Sequence, residues 1–200
     1  MIREDFMPRF SENERDKIHN KLLAEGERLF ARYGLKKATI DDLAESVGIA
    51  KASFYKFYEN KEYLYLDIVQ GIQLKIFNEL DLLLESNTDL PGRERVRQVF
   101  EHMFKLMLQY PVLTQIDVNT TLIIDRKVSK DRLMAFKKQN IDAAQKLHDH
   151  GIKFTCDIET ASLVFQSLYH CWMQMHEMNT HTQTSAIDIL LNGVINQIIE

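Results

Sequence analysis

Apolar residues recur along this chain at spacings of three and four, the period of a helix with one buried face. After Ser11 the positions Ile18, Leu22, Leu29, Phe30 and Tyr33 form such a stripe. Ser11 followed by Glu14 has the form of a capping box, in which hydroxyl and carboxylate each take a backbone N–H. Gly34 suits the left-handed residue that ends a helix, so the first helix is expected from Ser11 to Gly34. Two short helices follow over 39–47 and 50–57, then a long one from Asn60 to Glu85 with a bend near Gly71. Ser86–Gly92 reads as a polar turn. Val96, Val99, Phe100, Met103, Phe104 and Met107 place a helix over 93–109, stopped by Pro111. A short helix and a loop are expected over 111–124, and helices over 129–149, 157–178 and 184–199. No segment alternates with the period of two that a half-buried strand needs, and the chain has only 3 prolines and 7 glycines. The expected fold class is all-α.

The most specific pattern lies between Thr39 and Tyr58. Two short helices crossing steeply over a tight turn need a small residue at their closest approach, a residue that tolerates positive φ, and apolar inner faces. Thr39 caps the first helix, and Asp41 and Asp42 in its first turn oppose the positive end of the helix dipole. Ala44 is the small residue and Gly48 the turn. Leu43, Val47, Ile49, Phe54 and Phe57 face inward. That leaves Ala50, Lys51, Ala52, Tyr55 and Lys56 outward at the start of the second helix, the part of a helix-turn-helix that leads into a major groove. Small residues let the backbone approach base edges, while lysine and tyrosine reach phosphate. Lys61 starts the next helix, whose N-terminus is suited to an anion.

Charge has to be read locally. The 200 residues carry a net charge of −4, and residues 1–70 hold 12 basic and 13 acidic side chains. Within them Arg28, Arg32, Lys36 and Lys37 form a positive group with no acid between its ends, and Lys51, Lys56 and Lys61 recur at intervals of five.

These residues, with the approach Leu29-Phe30-Ala31-Arg32-Tyr33-Gly34 and the sequel Tyr58-Glu-Asn-Lys61-Glu62-Tyr-Leu64, resemble the N-terminal signature of TetR-family transcriptional regulators over about residues 15–66. The resemblance implies a three-helix DNA-binding domain with a helix-turn-helix (1–58) and a helical effector-binding and dimerisation domain (59–200). It implies a homodimer on a palindromic double-stranded DNA operator, released by a small-molecule effector. By motif position Thr39, Lys51, Tyr55 and Lys61 fall on phosphate-contacting positions and Ala50, Ala52 and Lys56 where bases are approached; Ser53 belongs to the same DNA-binding set. Family members often carry Ser or Thr where this chain has Ala50, which removes a helix cap worth about 1 kcal/mol.

In the last two helices Ile187, Leu190, Leu191, Val194, Ile195 and Ile198 make a full-length stripe, while Phe165, Leu168, Trp172 and Met175 share one face of the preceding helix and Val164, Ser167 and Cys171 another. A pair of helices with two apolar faces fits a four-helix dimer interface, with Leu168, Met175, Ile187, Leu190, Leu191, Val194 and Ile198 as its candidates; the same pattern serves a plain core. Phe100, Met103, Phe104, Met107, Tyr110, Phe136, Phe165, Tyr169, Trp172 and Met173 are candidates for a largely apolar effector pocket, and again an ordinary core is the alternative. No phosphate loop, G-x-S-x-G or H-E-x-x-H motif is present, so no enzyme and no cofactor are expected. His148, His150, His170 and His176 with Cys156 and Cys171 show no clean metal-ligand spacing, and no metal is expected. No apolar run approaches a membrane span and no leader opens the chain, so a cytoplasmic location with reduced cysteines is expected. Two rivals remain open on sequence alone: an all-α enzyme or metal protein using the His and Cys positions, and a helical interaction module that does not use DNA.

Overall fold

The computed structural model describes residues 10–139, 143–175 and 181–200. Among them the chain is helical throughout: α1 Glu12–Lys37, α2 Ile40–Val47, α3 Lys51–Phe54, α4 Lys61–Ser86, α5 Gly92–Met107, α6 Pro111–Thr114, α7 Val118–Lys127, α8 Lys130–Gln139, α9 Ala143–Asp149, α10 Ile158–Met175 and α11 His181–Ile198. Among the described residues, extended backbone pairs only in an isolated bridge between Phe154 and Ile199. The stretch expected as one helix over 129–149 is described as α8 and α9, with 140–142 outside the described residues, as are 176–178 of the expected 157–178 helix. The residues group into two compact units. One holds the chain up to Gln70 together with Gln115–Leu133; the other holds Gly71–Thr114 and the chain from Met134 on.

In the first unit, α1 begins as its sequence dictates: Glu14 N–H donates to Ser11 Oγ at 3.3 Å and Ser11 N–H to Glu14 Oε2 at 2.9 Å. Gly34 adopts φ +73° but kinks the helix rather than ending it, and helical bonding continues to Lys37. The kink has a cost for the expected stripe. Leu22, Leu29 and Phe30 are buried, whereas Tyr33, expected inward, is 46% exposed, with the Arg32 guanidinium 5.2 Å from its ring centre. Gly26 meets α4 closely: a Cβ there would lie 2.8 Å from Ile68 Cδ1. Phe30 packs edge-on against Tyr65 at 5.3 Å.

The segment 115–133 joins this unit through polar contacts from both of its ends. Gln115 Nε2 donates to Ala31 O at 2.7 Å, Asn60 Nδ2 to Lys127 O at 2.9 Å, and Ser129 N–H to Tyr63 Oη at 3.1 Å. Arg132 forms an ion pair with Asp67 and reaches Gln70 Oε1 at 3.3 Å. Asp67 in turn interacts with Tyr58, whose buried hydroxyl also meets His19 Nε2 at 2.8 Å. Burial, reinforced by Asp67, holds the Tyr58 hydroxyl well above the usual phenol range.

In the second unit, α10 packs on α9 and α11, and α11 on α5. Phe104 stacks flat on Trp172 at 4.7 Å, and Phe100 meets Phe165 at 4.8 Å. Arg95 is buried and ties two chain segments together, donating Nη2 to Leu84 O at 2.9 Å and Nη1 to His150 O at 3.1 Å. Such charge-assisted bonds satisfy helix-end carbonyls that would otherwise be buried without a partner.

Candidate nucleic-acid interface

The corner that places the outward residues forms by local rules. Thr39 takes Asp42 N–H on its hydroxyl at 3.1 Å while Asp42 Oδ2 accepts from Thr39 N–H at 3.0 Å and Thr39 Oγ1–H at 2.6 Å. These bonds hold the Asp42 carboxyl below the usual carboxylate range. At the other end of α2, Gly48 sits at φ +77°, with its N–H on Glu45 O and the Ile49 N–H on Ala44 O, both 3.0 Å. That pair of bonds is the Schellman pattern, and it needs a residue without a Cβ at the left-handed position.

The second helix of the motif is shorter than its sequence predicts. α3 is one turn, Lys51–Phe54, and Ala50 offers it no side-chain cap. The chain then runs to Tyr58 through tighter bonds, Lys56 N–H to Ser53 O at 3.1 Å and Phe57 N–H to Phe54 O at 2.9 Å. What fixes this turn is packing rather than helix length. Leu43, Ala44 and Phe54 are buried, Phe54 lies 6.0 Å from Tyr58, and Arg15 from α1 donates to Lys56 O at 3.2 Å with its guanidinium 5.8 Å from the Phe57 ring. Val47, Ile49 and Phe57, expected inward, are half-buried.

Ala50, Lys51, Ala52, Tyr55 and Lys56 are all exposed on this turn, Tyr55 to 52%, and Ser53 is half-buried. Two of the cations carry contacts that sequence reasoning missed. Lys51 Nζ lies 2.7 Å from Asp41 Oδ2, which pushes its ammonium pKa up, and Lys56 Nζ sits 5.4 Å over the Phe10 ring. Asp41 is ten residues from Lys51, so no periodicity pairs them. Lys61 is half-buried. Its ammonium donates to Ala38 O at 2.6 Å and Lys36 O at 3.3 Å, and burial lowers its pKa. The N–H groups of Glu62 and Tyr63 at the start of α4 are taken by Asn60 Oδ1 at 3.0 and 3.2 Å. The arrangement is a rigid corner presenting small residues, two lysines and a tyrosine to solvent, which is what contact with a nucleic-acid backbone and groove requires.

Residues 22–68 match the family model described as bacterial regulatory proteins, tetR family. Over these residues the chain matches the tetR family. Its fold is shared with SmeT, the repressor of the Stenotrophomonas maltophilia multidrug efflux pump SmeDEF, with a TM-score of 0.58 at 16% identity over 91% of this chain and 90% of that one. The nucleoid occlusion factor SlmA of Aliivibrio fischeri is 25% identical over 146 residues, 70% of each chain. IcaR, the negative transcriptional regulator of the biofilm operon icaADBC in Staphylococcus epidermidis, is 32% identical over 91 residues, 45% of each chain. The match over residues 22–68 and the likeness to IcaR support DNA-binding regulation of transcription.

The other site candidates lie in the second unit. Phe100, Phe104, Met107, Phe165 and Trp172 are buried; Met103, Tyr110, Phe136, Tyr169 and Met173 are half-buried. Burial raises the Tyr169 hydroxyl above its usual value. Phe100 and Met103 border a small cavity with Phe77, Leu80, Leu84 and Leu147, of which about 20 Å³ admits a water. Beside it Asp81 holds an ion pair with Lys146 and meets His150 Nε2 at 3.3 Å. The stripes on α10 and α11 divide. Leu168, Ile187, Leu191 and Ile198 are buried and Met175 is half-buried. Leu190 and Val194 instead border a surface groove of about 360 Å³ with Leu163, Val164, Ser167 and Cys171. Among the described residues no helix is long and apolar enough to cross a membrane, and no cluster of three His, Cys, Asp or Glu side chains could hold a metal ion. His176 lies outside the described residues.

Proposed function

We propose that this chain is a ligand-released repressor of the TetR family that binds a palindromic operator as a homodimer. One observation carries the DNA side of the reading: the Gly48 corner turns Lys51, Tyr55 and Lys56 to solvent together, beside the small residues Ala50 and Ala52. Residues 1–58, with Lys61 just beyond them, supply the DNA contacts. Ala50, Ala52 and Lys56 approach bases, and Lys51, Ser53, Tyr55, Thr39 and the remaining N–H of Lys61 meet phosphates. Residues 59–200 carry the effector site and the dimer interface. The exposed groove of α10 and α11 supports dimerisation through Leu163, Val164, Leu190 and Val194, with Leu168, Ile187, Leu191 and Ile198 forming the layer beneath. The effector is a largely apolar small molecule held among the aromatic and methionine side chains around Phe100 and Met103, where its binding has to widen a cavity that admits about 20 Å³ in the free chain. IcaR is a negative transcriptional regulator and SmeT a repressor, which favours repression over activation.

The test is DNA binding by the full chain, measured by fluorescence anisotropy on the DNA flanking its own gene. Lys51→Ala is expected to weaken binding to every sequence and to lower the salt slope by about one per protomer, and Tyr55→Phe to weaken it without changing the slope. Unchanged affinity in both variants overturns the reading.

A further inference from the structure

We infer that the joint between α1 and α2 is a second phosphate-binding surface, built from Lys36 and Lys37 with Lys61, that extends the footprint beyond the recognition turn. The inference rests on the DNA-binding reading above and adds residues to it.

Three observations meet at this joint. First, Arg32, Lys36 and Lys37 are exposed, and among the described residues no carboxylate forms an ion pair with any of them. That sets them apart from Arg28, paired with Glu25 at 2.8 Å, and from Lys51, paired with Asp41. Second, the fold brings a further cation here from a distant point in the sequence. Lys61 Nζ bonds Lys36 O and Ala38 O, which sets its ammonium against the stretch of backbone that carries Lys36 and Lys37. Third, the same backbone leads directly into the capped N-terminus of α2. Lys37 is two residues from Thr39, within about 7 Å of chain, and it borders a groove of about 450 Å³ with Tyr33, Arg28, Asp42, Glu45 and Ser46.

The acids nearby do not cancel this charge. Asp42 is engaged by Thr39, Asp41 by Lys51, and Glu62 is buried beside Lys61; Glu45 and the capping Asp42 are the exposed acids of the groove. Arg32, Lys36, Lys37 and Lys61 equal these four acids in number, but Asp41, Asp42 and Glu62 are paired, capped or buried whereas Arg32, Lys36 and Lys37 stand exposed. Unpaired, solvated lysines are the ones whose counterions are released when a polyanion binds, so they contribute affinity in proportion to the salt dependence. A polyphosphate backbone running past Thr39 meets Lys37 and Lys36 next. The occupant that fits is the DNA strand flanking the groove contacted by α3, read for charge and not for sequence.

The experiment compares the full chain with the double variant Lys36→Ala/Lys37→Ala on two duplexes, the DNA flanking its own gene and a mixed-sequence duplex of equal length, across a series of KCl concentrations. The expected result is a similar loss of affinity for both duplexes and a salt slope lower by about two per protomer. Lys36→Arg/Lys37→Arg is expected to restore both, because charge and not packing is at work. A slope unchanged in the alanine variant, or a loss that arginine does not restore, overturns the inference. Lys51→Ala separates this from the parent reading. If it weakens binding while Lys36→Ala/Lys37→Ala does not, only the second surface falls; if neither variant alters affinity, the DNA reading falls with it.

Discussion

The contacts of single side chains set how freely the cations of the recognition turn can act. Lys51 must leave Asp41 before it can reach a phosphate, and an exposed pair of this kind is weak and screened by salt. Asp41→Asn is therefore expected to tighten binding to mixed-sequence DNA a few-fold at low ionic strength, with the gain vanishing in high salt; a titration at two KCl concentrations checks it. Asp41 on this account restrains non-specific binding and is not a groove contact. The capping carboxylates Glu14 and Asp42 give a pH dependence whose sign follows from their bonds. Backbone and hydroxyl donors on Ser11 and Thr39 hold both below their ordinary values in the folded chain. Above the ordinary carboxylate value both states are ionised and the stabilisation is complete. As pH falls the unfolded chain takes protons first, and the stabilisation is lost on the way down to the depressed folded values. Melting temperature should hold steady from neutral pH to about pH 5 and fall below it, less steeply in Asp42→Asn.

At the scale of the helices, the corner between α2 and α3 has a strong end and a weak one. Gly48 stands in open space at φ +77°, so Gly48→Ala meets no clash, only the backbone cost of a left-handed residue, about 1–2 kcal/mol. Ala50, already extended at φ −68°, ψ 148° but without a capping oxygen, is the opposite case: Ala50→Ser is expected to stabilise α3 by about 1 kcal/mol. Denaturant unfolding of the two variants measures both, and equal stabilities would contradict the motif geometry. These two residues, like Ser11 with Glu14 and Thr39 with its capping role, were legible in the sequence because caps and turns depend on residues three or four apart. What was not legible depends on distance. Tyr33 lies on the apolar stripe of α1, yet the kink at Gly34, which allows helical bonding to run on to Lys37, goes with its exposure. Lys61 reads as a free cation at a helix start until the fold sets α1's last carbonyls beside it. The pairing of Asp41 with Lys51 crosses the corner itself. In the second unit the pattern located two apolar faces on α10 and α11, but a period of 3.6 does not say which face a neighbour covers, so buried Leu191 and exposed Leu190 were indistinguishable.

For the whole molecule, that difference gives a test of assembly. Leu163 is 60% and Leu190 39% exposed, on the rim of one groove, whereas Leu191 is buried. Leu163→Glu/Leu190→Glu is expected to yield a folded monomer by sedimentation, with operator affinity falling as the two half-site contacts lose their linkage. Leu191→Ala should instead lower stability by about 2–5 kcal/mol while leaving the dimer associated. A double glutamate variant that sediments as a dimer would place the interface elsewhere.

One feature of the first unit bears on how the molecule is taken apart in the laboratory. Leu64 and Ile68 seal the notch at Gly26, and Gln115 and Arg132 fasten α1 and α4 from a segment far along the chain. A fragment cut after Tyr58 would thus expose the apolar underside of α1 and strip Tyr58 of Asp67. Expressed alone, such a piece should precipitate or remain uncoiled, and a minimal reader of DNA from this protein has to keep α7 attached.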